Sequence, residues 1–390
     1  MNRIVERNRC NGCEACHDIC SKGAIKMLRD EEGFYYPHID EIKCVNCGLC
    51  GKVCPVRLDK SVRNIDYNDT KAYGGWIRND DSLSKSSSGG FCAALSESVQ
   101  QKEGIVYGVV FSENFREAIY TSTDDVKFQK MRGSKYVTAL KDGIYSRVKD
   151  QLVTGRLVLF VGLPCEVVAL YSFLGADYDN LLTCELICAG PSSYSLLDEQ
   201  IKWIEQNKGG RIKSFEFRFK KYGWGPYAIY AQTPQKQYSK IFDETIFGIG
   251  MKYAKREACF NCEFKGNRRV ADFTVGDFWN IDKKASYYNE NGTSLVFCRT
   301  KKAEEYLHKL DNFYFEEVIA EDAINGNRQQ LKYPAGVPEC RESYLKTLRE
   351  SGGEAAFLQY RPKRSVKKII KNNLPVWAYK LLRRVEAKIH

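Results

Sequence analysis

Two cysteine runs of the same spacing lie near the start of the chain, and this spacing suits iron–sulfur chemistry. Residues 10–20 contain the pattern C-x2-C-x2-C-x3-C, and residues 44–54 repeat it, followed by Pro55. Each cysteine of the second run lies 34 residues after its counterpart, as 44 follows 10 and 54 follows 20, which indicates an internal duplication. Two-residue gaps let a tight loop supply three corners of a [4Fe–4S] cubane, while the fourth cysteine reaches the neighbouring cubane.

The duplicated pattern is typical of a bacterial-type ferredoxin domain, and it predicts which cysteines share a cluster. Zinc is the alternative metal, because C-x2-C pairs also bind zinc, and a disulfide scaffold is a further alternative. The two predicted ligand sets are called here the first ferredoxin site, with Cys10, Cys13, Cys16 and Cys54, and the second ferredoxin site, with Cys20, Cys44, Cys47 and Cys50.

Four later cysteines form a second constellation, called below the third cysteine site. Cys259 and Cys262 make a C-x2-C pair, which cannot complete a cubane alone. Cys165 follows a predicted strand at a helix amino terminus that favours a thiolate, and Cys188 ends the next strand. Because neighbouring parallel strands end at one edge of a sheet, all four can converge on a third [4Fe–4S] cluster. On spacing alone, buried thiols with a zinc pair are the alternative. The remaining thiols are expected to be buried or spare: Cys92, Cys184, Cys298 and Cys340.

The elements that position these cysteines predict two folded regions. The fold expected is an α+β ferredoxin-like N-terminal domain, followed by an α/β module with a mixed or mostly parallel sheet. Four parts of the chain are predicted: a ferredoxin domain over 1–56, a polar linker over 57–72, the module over 73–340 and a basic tail over 341–390. Apolar runs and periodicity predict strands over 105–111, 156–161, 181–187 and 212–219, and helices over 90–101, 167–174 and 194–206.

The charge of the chain is unevenly distributed. Of a net charge of +11, residues 361–390 contribute ten Lys or Arg and one Glu, so the rest is nearly neutral and no nucleic acid is expected as a partner. Neither a secretory signal nor a transmembrane stretch is visible, which predicts a cytoplasmic protein. From Pro375 onward the tail predicts an amphipathic helix rich in Trp, Tyr, Lys and Arg, which favours peripheral contact with the inner face of the membrane. Packing on a partner subunit or on the same chain is the alternative.

Several motifs together carry a family resemblance over residues 72–340. The chain resembles the coenzyme F420 hydrogenase/dehydrogenase beta-subunit family, and its appended ferredoxin domain resembles that of F420H2 dehydrogenase input subunits. The motifs, in chain order, are SSSGGF (86–91), RGSKYV (132–137), FVGLPCEV (160–167), ELICAGPS (185–192) and ADFTVGDFW (271–279), the last preceded by the C-x2-C pair at 259–262.

The resemblance implies that the α/β module is a flavin-binding module with FAD and a nearby [4Fe–4S] cluster, whose ligands are Cys165, Cys188, Cys259 and Cys262. The sequence departs from the family at two positions. Ala189 follows Cys188, where the family often has a histidine, so a methyl group replaces a proton donor. Leu163 stands where a threonine is common.

Seven residues are predicted to contact the flavin. Ser87, Ser88, Gly89 and Gly90 precede a helix whose amides can hold a pyrophosphate; without the family resemblance, a Ser/Gly turn that caps the helix is the commoner explanation. Lys135 and Tyr136 can neutralise a phosphate and stack on a ring, or lie on the surface. Asp277 can bind the flavin or a ribose, or serve a turn. No catalytic residue stands out.

These observations predict an oxidoreductase. A flavin exchanges two electrons with an F420-like deazaflavin or another small molecule, whereas clusters carry one electron at a time to a redox partner protein. The alternative is a ferredoxin-type partner or redox sensor without turnover, with a link to surface polysaccharide biosynthesis as a further setting.

Overall fold

The computed structural model describes residues 4–58, 70–266, 269–363, 374–379 and 381–382. Within these ranges the strands form three sheets of two, three and eight strands. Among the described residues, no helix is long and apolar enough to cross a membrane.

The N-terminal region has the ferredoxin-like arrangement predicted from the cysteine runs. A two-stranded antiparallel sheet pairs Ile25 with Ile39 and Arg29 with Tyr35. Each cysteine run includes one short helix. Because so few residues lie in regular elements, the region has little core of its own. Its elements are α1 (Ala15–Asp18), β1 (Ile25–Arg29), β2 (Tyr35–Ile39) and α2 (Leu49–Lys52).

The rest of the chain is an α/β domain built on the eight-stranded sheet. The strand order is β13-β3-β12-β11-β7-β6-β4-β5, and only the three pairs among β11, β7, β6 and β4 are parallel. The sheet is therefore mixed, as one of the two predicted forms, and it is not mostly parallel. Its strands are β3 (Lys71–Ile77), β4 (Ile105–Phe111), β5 (Ala118–Ser122), β6 (Val158–Gly162), β7 (Leu181–Leu186), β11 (Phe273–Asp277), β12 (Ser294–Cys298) and β13 (Phe313–Val318); the three-stranded sheet contains β8 (Ser214–Phe219), β9 (Ala228–Gln232) and β10 (Gln237–Ile241).

Helices cover both faces of the large sheet. Alternate residues of a strand point to opposite faces, so Val106 of β4 packs with one set of helices and Ile105 with the other. Helices α4 and α10 lie on the first face, and α5, α6 and α7 on the second. The helices of this domain are α3 (Asp80–Lys85), α4 (Phe91–Gln101), α5 (Ile144–Val153), α6 (Pro164–Leu174), α7 (Tyr194–Lys208), α8 (Ile246–Gly250), α9 (Glu257–Phe260), α10 (Lys301–His308), α11 (Ala320–Asn325), α12 (Arg328–Leu331) and α13 (Arg341–Tyr360), the last interrupted at Gly352.

The ferredoxin region docks on the second face of this domain. Ala15, Val53 and Val56 are buried in the same apolar cluster as helices α5 and α6. Asp18 accepts hydrogen bonds from the backbone N–H groups of Tyr145, at 2.8 Å, and Ser146, at 3.2 Å. These are first-turn donors of α5, whose own N-cap is a glycine. A carboxylate of one domain therefore caps a helix of the other.

A buried ion pair lies at the same interface. Lys141 Nζ stands 3.0 Å from Glu166 Oε1, and both side chains are almost fully buried. The backbone N–H of Lys141 donates to Glu14 Oε2 at 2.9 Å, so the ferredoxin region completes the network. Tyr145 also donates its hydroxyl to the carbonyl oxygen of Cys13 at 2.7 Å. These polar contacts fix the cysteine loops against the α/β domain.

Two predicted boundaries need correction. Residues 341–360, which were assigned to the basic tail, form α13, whose buried Tyr344 and Leu348 join the apolar cluster of the domain. Their apolar residues pack on α7 and α8, and the basic segment starts only afterwards. Most of the predicted linker, residues 59–69, lies outside the described residues, while Lys71 and Ala72 already belong to β3.

Only part of the basic tail can be placed. Residues 364–373, 380 and 383–390 lie outside the described residues, so the predicted amphipathic helix and its membrane contact stay predictions. Residues 376–379 are helical. Tyr379 is buried with its ring centroid 5.0 Å from that of Tyr222, whereas Trp377 is 71 % exposed. This part of the tail thus contacts the same chain.

The interdomain cap gives a testable prediction. Replacement of Asp18 by alanine removes the acceptor for two N–H groups of α5, and we expect a loss of about 1 kcal/mol in the free energy of unfolding. The measurement is the anaerobic urea midpoint at unchanged iron content. Asp150→Ala removes an exposed carboxylate from the same helix and serves as the control, with an expected change within about 0.5 kcal/mol. Equal midpoints for the two variants would contradict the capping role.

Candidate cofactor sites

The ferredoxin cysteines of the two runs act on one another's pKa. Burial raises the pKa of the Cys16 thiol, and Cys13, Cys10, Cys54 and Cys50 raise it further. Burial also raises the pKa of Cys50, while the N–H of Gly51 lowers it. The thiols that act on Cys50 are those of the second ferredoxin site: Cys47, Cys44 and Cys20. Cys54 thus acts on a thiol of the first run and Cys20 on a thiol of the second, and the two predicted ligand sets stay a prediction.

The third cysteine site lies at the predicted edge of the sheet. Strands β6 and β7 are parallel neighbours, Cys165 is the second residue of α6, and Cys188 follows β7. The short helix α9 carries Cys259 to the same place. All four cysteines line one small cavity: Cys165, Cys188, Cys259 and Cys262. Tertiary structure thus brings together residues that are almost one hundred positions apart in the chain.

Basic side chains surround this small cavity. Lys265 and Arg269 line it, and their charges act against burial to lower the thiol pKa of Cys188. Lys255 donates to the carbonyl oxygen of Ala189 at 2.8 Å, directly after Cys188. Burial lowers the pKa of Lys255. A partly buried set of cations is costly unless an anion lies among them.

Burial also governs the protonation of the cysteines. It raises the pKa of Cys259 to about 12, so the thiol is neutral at pH 7 unless a metal displaces its proton. In the described part of the chain, no group of three or more His, Cys, Asp or Glu side chains is arranged to hold a single metal ion. Four cysteines spaced around a cavity fit a cluster, because each thiolate of a cubane binds a different iron.

A second, larger cavity adjoins the third cysteine site. It has a volume of about 500 Å³, within the range of cofactor sites. It lies at the carboxyl ends of β6, β7 and β11 and at the amino terminus of α4, where α/β folds bind ligands. The large cavity and the small one share five lining residues: Leu163, Glu166, Cys188, Gly190 and Pro191.

Six of the seven predicted flavin contacts line this large cavity, namely Ser87, Ser88, Gly90, Lys135, Tyr136 and Asp277. The exception is Gly89. A Cβ atom there would stand 2.3 Å from the carbonyl oxygen of Gly75 and 2.3 Å from the backbone nitrogen of Ser294. Gly89 is therefore required for close approach of the loop to β3 and β12, and it does not face the cavity.

Several of these side chains already have partners within the protein. Lys135 Nζ donates to the carbonyl oxygens of Met131, at 2.8 Å, and Arg132, at 2.9 Å, and burial lowers its pKa to about 7. Ser88 Oγ donates to the carbonyl oxygen of Thr293 at 2.9 Å. Lys135 and Ser88 therefore shape the loops of the cavity, which neither of the two predicted roles for Lys135 anticipated.

Sequence inspection missed Arg218, a buried cation that lines the large cavity. Its guanidinium makes two hydrogen bonds with the Asp277 carboxylate, at 2.8 and 3.0 Å, and lies 3.9 Å from the ring centroid of Tyr227. Trp224 donates to the same carboxylate at 2.6 Å. In the described structure, Nε of Arg218 is buried without a hydrogen-bond partner. The alternation of Phe215, Phe217 and Phe219 marks β8, but nothing local shows that its intervening arginine meets Asp277.

Comparisons with known proteins agree with this arrangement. The fold and the cysteine sites define an iron–sulfur protein with an appended α/β domain. Residues 9–58 match the 4Fe–4S dicluster domain, and residues 155–322 match the family described as coenzyme F420 hydrogenase/dehydrogenase, C terminus of the beta subunit. The resemblance predicted from the motifs is confirmed by this match over residues 155–322.

The ferredoxin region has curated relatives in Methanocaldococcus jannaschii. An uncharacterized ferredoxin is 44 % identical over 52 residues, which is 13 % of this chain and 66 % of that protein. Pyruvate synthase subunit PorD is 37 % identical over 60 residues, 15 % of this chain and 65 % of that protein. The chain thus spans just under two thirds of the length of these relatives.

One solved structure is similar over a larger part of the chain. It belongs to the F420-reducing [NiFe] hydrogenase complex from Methanosarcina barkeri and covers 66 % of this chain and 89 % of its own. The TM-score is 0.44 at 17 % sequence identity, and a likeness at this level identifies neither a substrate nor a partner.

The buried pair in the large cavity gives a second prediction. Arg218→Met leaves Asp277 with a buried, uncompensated charge, and we expect a loss of about 3 kcal/mol in the free energy of unfolding. The measurement is anaerobic urea unfolding. The exposed pair Arg156–Asp124 is the control, because Arg156→Met should cost less than about 1 kcal/mol. Similar losses for the two variants would show that the Arg218–Asp277 pair contributes no more to the free energy of unfolding than a surface pair does.

Proposed function

We propose that the protein is an oxidoreductase that moves electrons between a flavin in the large cavity and a one-electron carrier, through three [4Fe–4S] clusters. The observation that carries this proposal is the continuity of the sites. Cys188 lines both the large cavity and the small cavity of the third cysteine site. Asn11, which lies between Cys10 and Cys13, lines the small cavity as well.

The same continuity extends to the protein surface. Burial is the largest cause of the raised pKa of Cys165, and Cys13 is a smaller one. This contribution from Cys13 supports placing the first ferredoxin site next to the third cysteine site. Cys50 is a charged neighbour of Cys16, so the two ferredoxin sites adjoin each other. The second ferredoxin site contains Cys47, which is exposed. Electrons would therefore leave or enter beside Cys47.

The residues of the large cavity fit an anionic, ring-containing cofactor. Bound there, a flavin would supply exchange of two electrons with a hydride donor and of single electrons with clusters. The amino terminus of α4, reached through Ser87 and Gly90, favours a phosphate. The buried Nε of Arg218 is a donor that still needs an acceptor, and the Tyr136 ring lines the same space. FAD is the form of flavin that the family resemblance implies.

The third cysteine site fits a cluster for electrostatic reasons. A [4Fe–4S]2+ core with four thiolates carries about −2. Lys265 and Arg269 line the small cavity beside Cys188, and their charges favour its thiolate. Arg269 also pairs with the buried Glu185 at 3.0 Å, so Lys265 is the side chain proposed to compensate the cluster. Glu166 lines it from the side of the ferredoxin region, where Lys141 neutralises it. These residues hold and compensate the cluster, and they exclude water from it.

The substrate class follows from the family. Its description names coenzyme F420, so an F420-like deazaflavin is the proposed two-electron partner. Ala189 lines the large cavity where the family often has a histidine, so this chain offers no imidazole proton there. A small hydride donor or acceptor other than F420 is the second candidate, because Ala189 lacks the imidazole that the family often has at this position.

A non-catalytic ferredoxin-type carrier or redox sensor is the alternative function. The observation that favours it is that Lys135, Ser88 and Asp277, three predicted flavin contacts, each have partners within the protein. The two functions differ in flavin content and in turnover, and both can be measured.

Cofactor content tests the proposed function. In anaerobically purified protein we expect about twelve irons, about twelve sulfides and one flavin per chain, since each of three cubanes holds four irons. Cys259→Ser should lower the iron content to about eight, because it removes a ligand of the third cysteine site. Cys298→Ser, which changes a buried thiol of β12, is the matched control and should keep all iron. Eight irons and no flavin in the wild-type protein would leave only the ferredoxin-type carrier.

Turnover tests the substrate class. We expect the protein to couple oxidation of reduced F420 to reduction of a viologen or a ferredoxin, because the three cysteine sites connect the cavity with the surface. Anaerobic spectrophotometry measures the rate, with NADPH as the competing donor. Cys47→Ser should slow ferredoxin reduction while two-electron reduction of the flavin stays unchanged, since Cys47 is the exposed end of the series. Flavin reduction by neither donor would exclude both hydride donors as substrates.

A further inference from the structure

Arg256 is buried between the ferredoxin region and the third cysteine site. It is 1 % exposed. Its backbone lies beside the third cysteine site, because its carbonyl oxygen accepts a hydrogen bond from the N–H of Cys259 at 2.9 Å, at the start of α9. Its side chain contacts the ferredoxin region, since Nη2 donates a hydrogen bond to the carbonyl oxygen of Tyr35 at 3.0 Å. One residue therefore spans two cysteine sites.

The guanidinium lies directly on a cysteine loop. Gly12 is in the first ferredoxin site, between Cys10 and Cys13, and a Cβ atom at Gly12 would stand 2.5 Å from Arg256 Nη2. The aromatic rings of Tyr36 and Phe34 lie on the cation, with centroids 4.4 and 5.1 Å from Cζ. The absence of a side chain at Gly12 is what lets the charge approach the loop this closely.

No carboxylate among the described residues pairs with the charge of Arg256, which only one carbonyl oxygen and the two aromatic rings stabilise. Its Nε and Nη1 find no hydrogen-bond partner in the described part of the chain. Nor does it form an ion pair with a carboxylate there, whereas the neighbouring buried Arg341 pairs with Glu32 at 2.7 Å. A buried, unpaired guanidinium costs several kcal/mol, so a native structure keeps one only where an anion arrives from elsewhere.

We propose that Arg256 is the shared counter-ion of two clusters, one in the first ferredoxin site and one in the third cysteine site. This inference rests on the proposed function. Each thiolate-bound cluster gains one negative charge on reduction, and a nearby cation in a medium of low dielectric constant stabilises that charge. Arg256 thereby raises the reduction potentials of both clusters and keeps them close to each other in value. The N–H groups of its Nε and Nη1, which have no partner among the described residues, would be available to sulfur acceptors of the clusters.

Redox titration of the loaded protein tests this positioning role. In Arg256→Gln we expect reduction of both clusters to become about tenfold less favourable, which is a shift of about 59 mV toward negative potential for one electron. A shift of only one cluster would contradict a shared role. Arg256→Lys keeps the charge and should restore most of the difference. EPR-monitored titration, with iron content measured on the same samples, gives the potentials without reference to turnover.

Arg341→Gln is the matched control. It also removes a buried cation from the domain interface, but one that carboxylates already compensate, so its shift should be clearly smaller than that of Arg256→Gln. Equal shifts for the two variants, or unchanged potentials in a fully loaded Arg256→Gln protein, would overturn the proposal.

Loss of iron in the neutral variant also decides the question. If Arg256→Gln and Arg256→Met lose iron while Arg256→Lys retains it, the positive charge is needed to hold the clusters, and the proposal stands. If Arg256→Lys loses iron as well, the shape of the side chain matters and its charge does not, and the proposal fails. Failure of the proposed function is distinct, because it shows as a missing third cluster in the wild-type protein.

Discussion

Negative charge that must be held inside a protein is the constraint on which this structure depends. Iron-bound thiolates carry a net negative charge, and burial raises the cost of that charge. Basic side chains lie around the cysteines: Lys141, Lys255, Arg256, Lys265 and Arg269. Some of them pair with carboxylates, as Lys141 does with Glu166, whereas Arg256 has no such partner among the described residues. The cysteine sites and their cations therefore form one electrostatic unit across two domains.

The same unit explains why the ferredoxin region is docked and not merely tethered. Its apolar residues are too few for a core of their own, and three of them share the core of the α/β domain. The polar contacts that hold it come from the cysteine loops themselves: the carbonyl oxygen of Cys13 accepts from Tyr145, and Asp18 caps α5. The same hydrogen bonds thus orient both the ferredoxin region and its cysteines.

The large cavity follows from the architecture of the sheet. Parallel strands β6, β7 and β11 end at one edge, and the loops after them carry the residues that line the space. The Arg218–Asp277 pair closes one side, and the loop around Cys188 closes another. Because Cys188 lies on both cavities, the sheet edge that forms the large cavity also places it beside the cysteines.

The amino-acid sequence determines the local features of this protein. The C-x2-C-x2-C-x3-C runs define the ferredoxin region, because loop ligation is set by spacing within twenty residues. Apolar runs define β4 at residues 105–111, and a helical stripe defines α4, because both patterns arise from neighbours in the chain. The motifs likewise carry the family resemblance that the match over residues 155–322 confirms.

Only the tertiary structure decides which distant residues meet. It brings Cys165 and Cys188 to Cys259 and Cys262, pairs Arg218 with Asp277, turns Gly89 away from the cavity, and packs residues 341–360 into the core. It also places Arg256 on the loop of Gly12, more than two hundred residues away. The physical reason is that long-range contacts depend on strand order and on domain docking, which no short stretch of residues encodes.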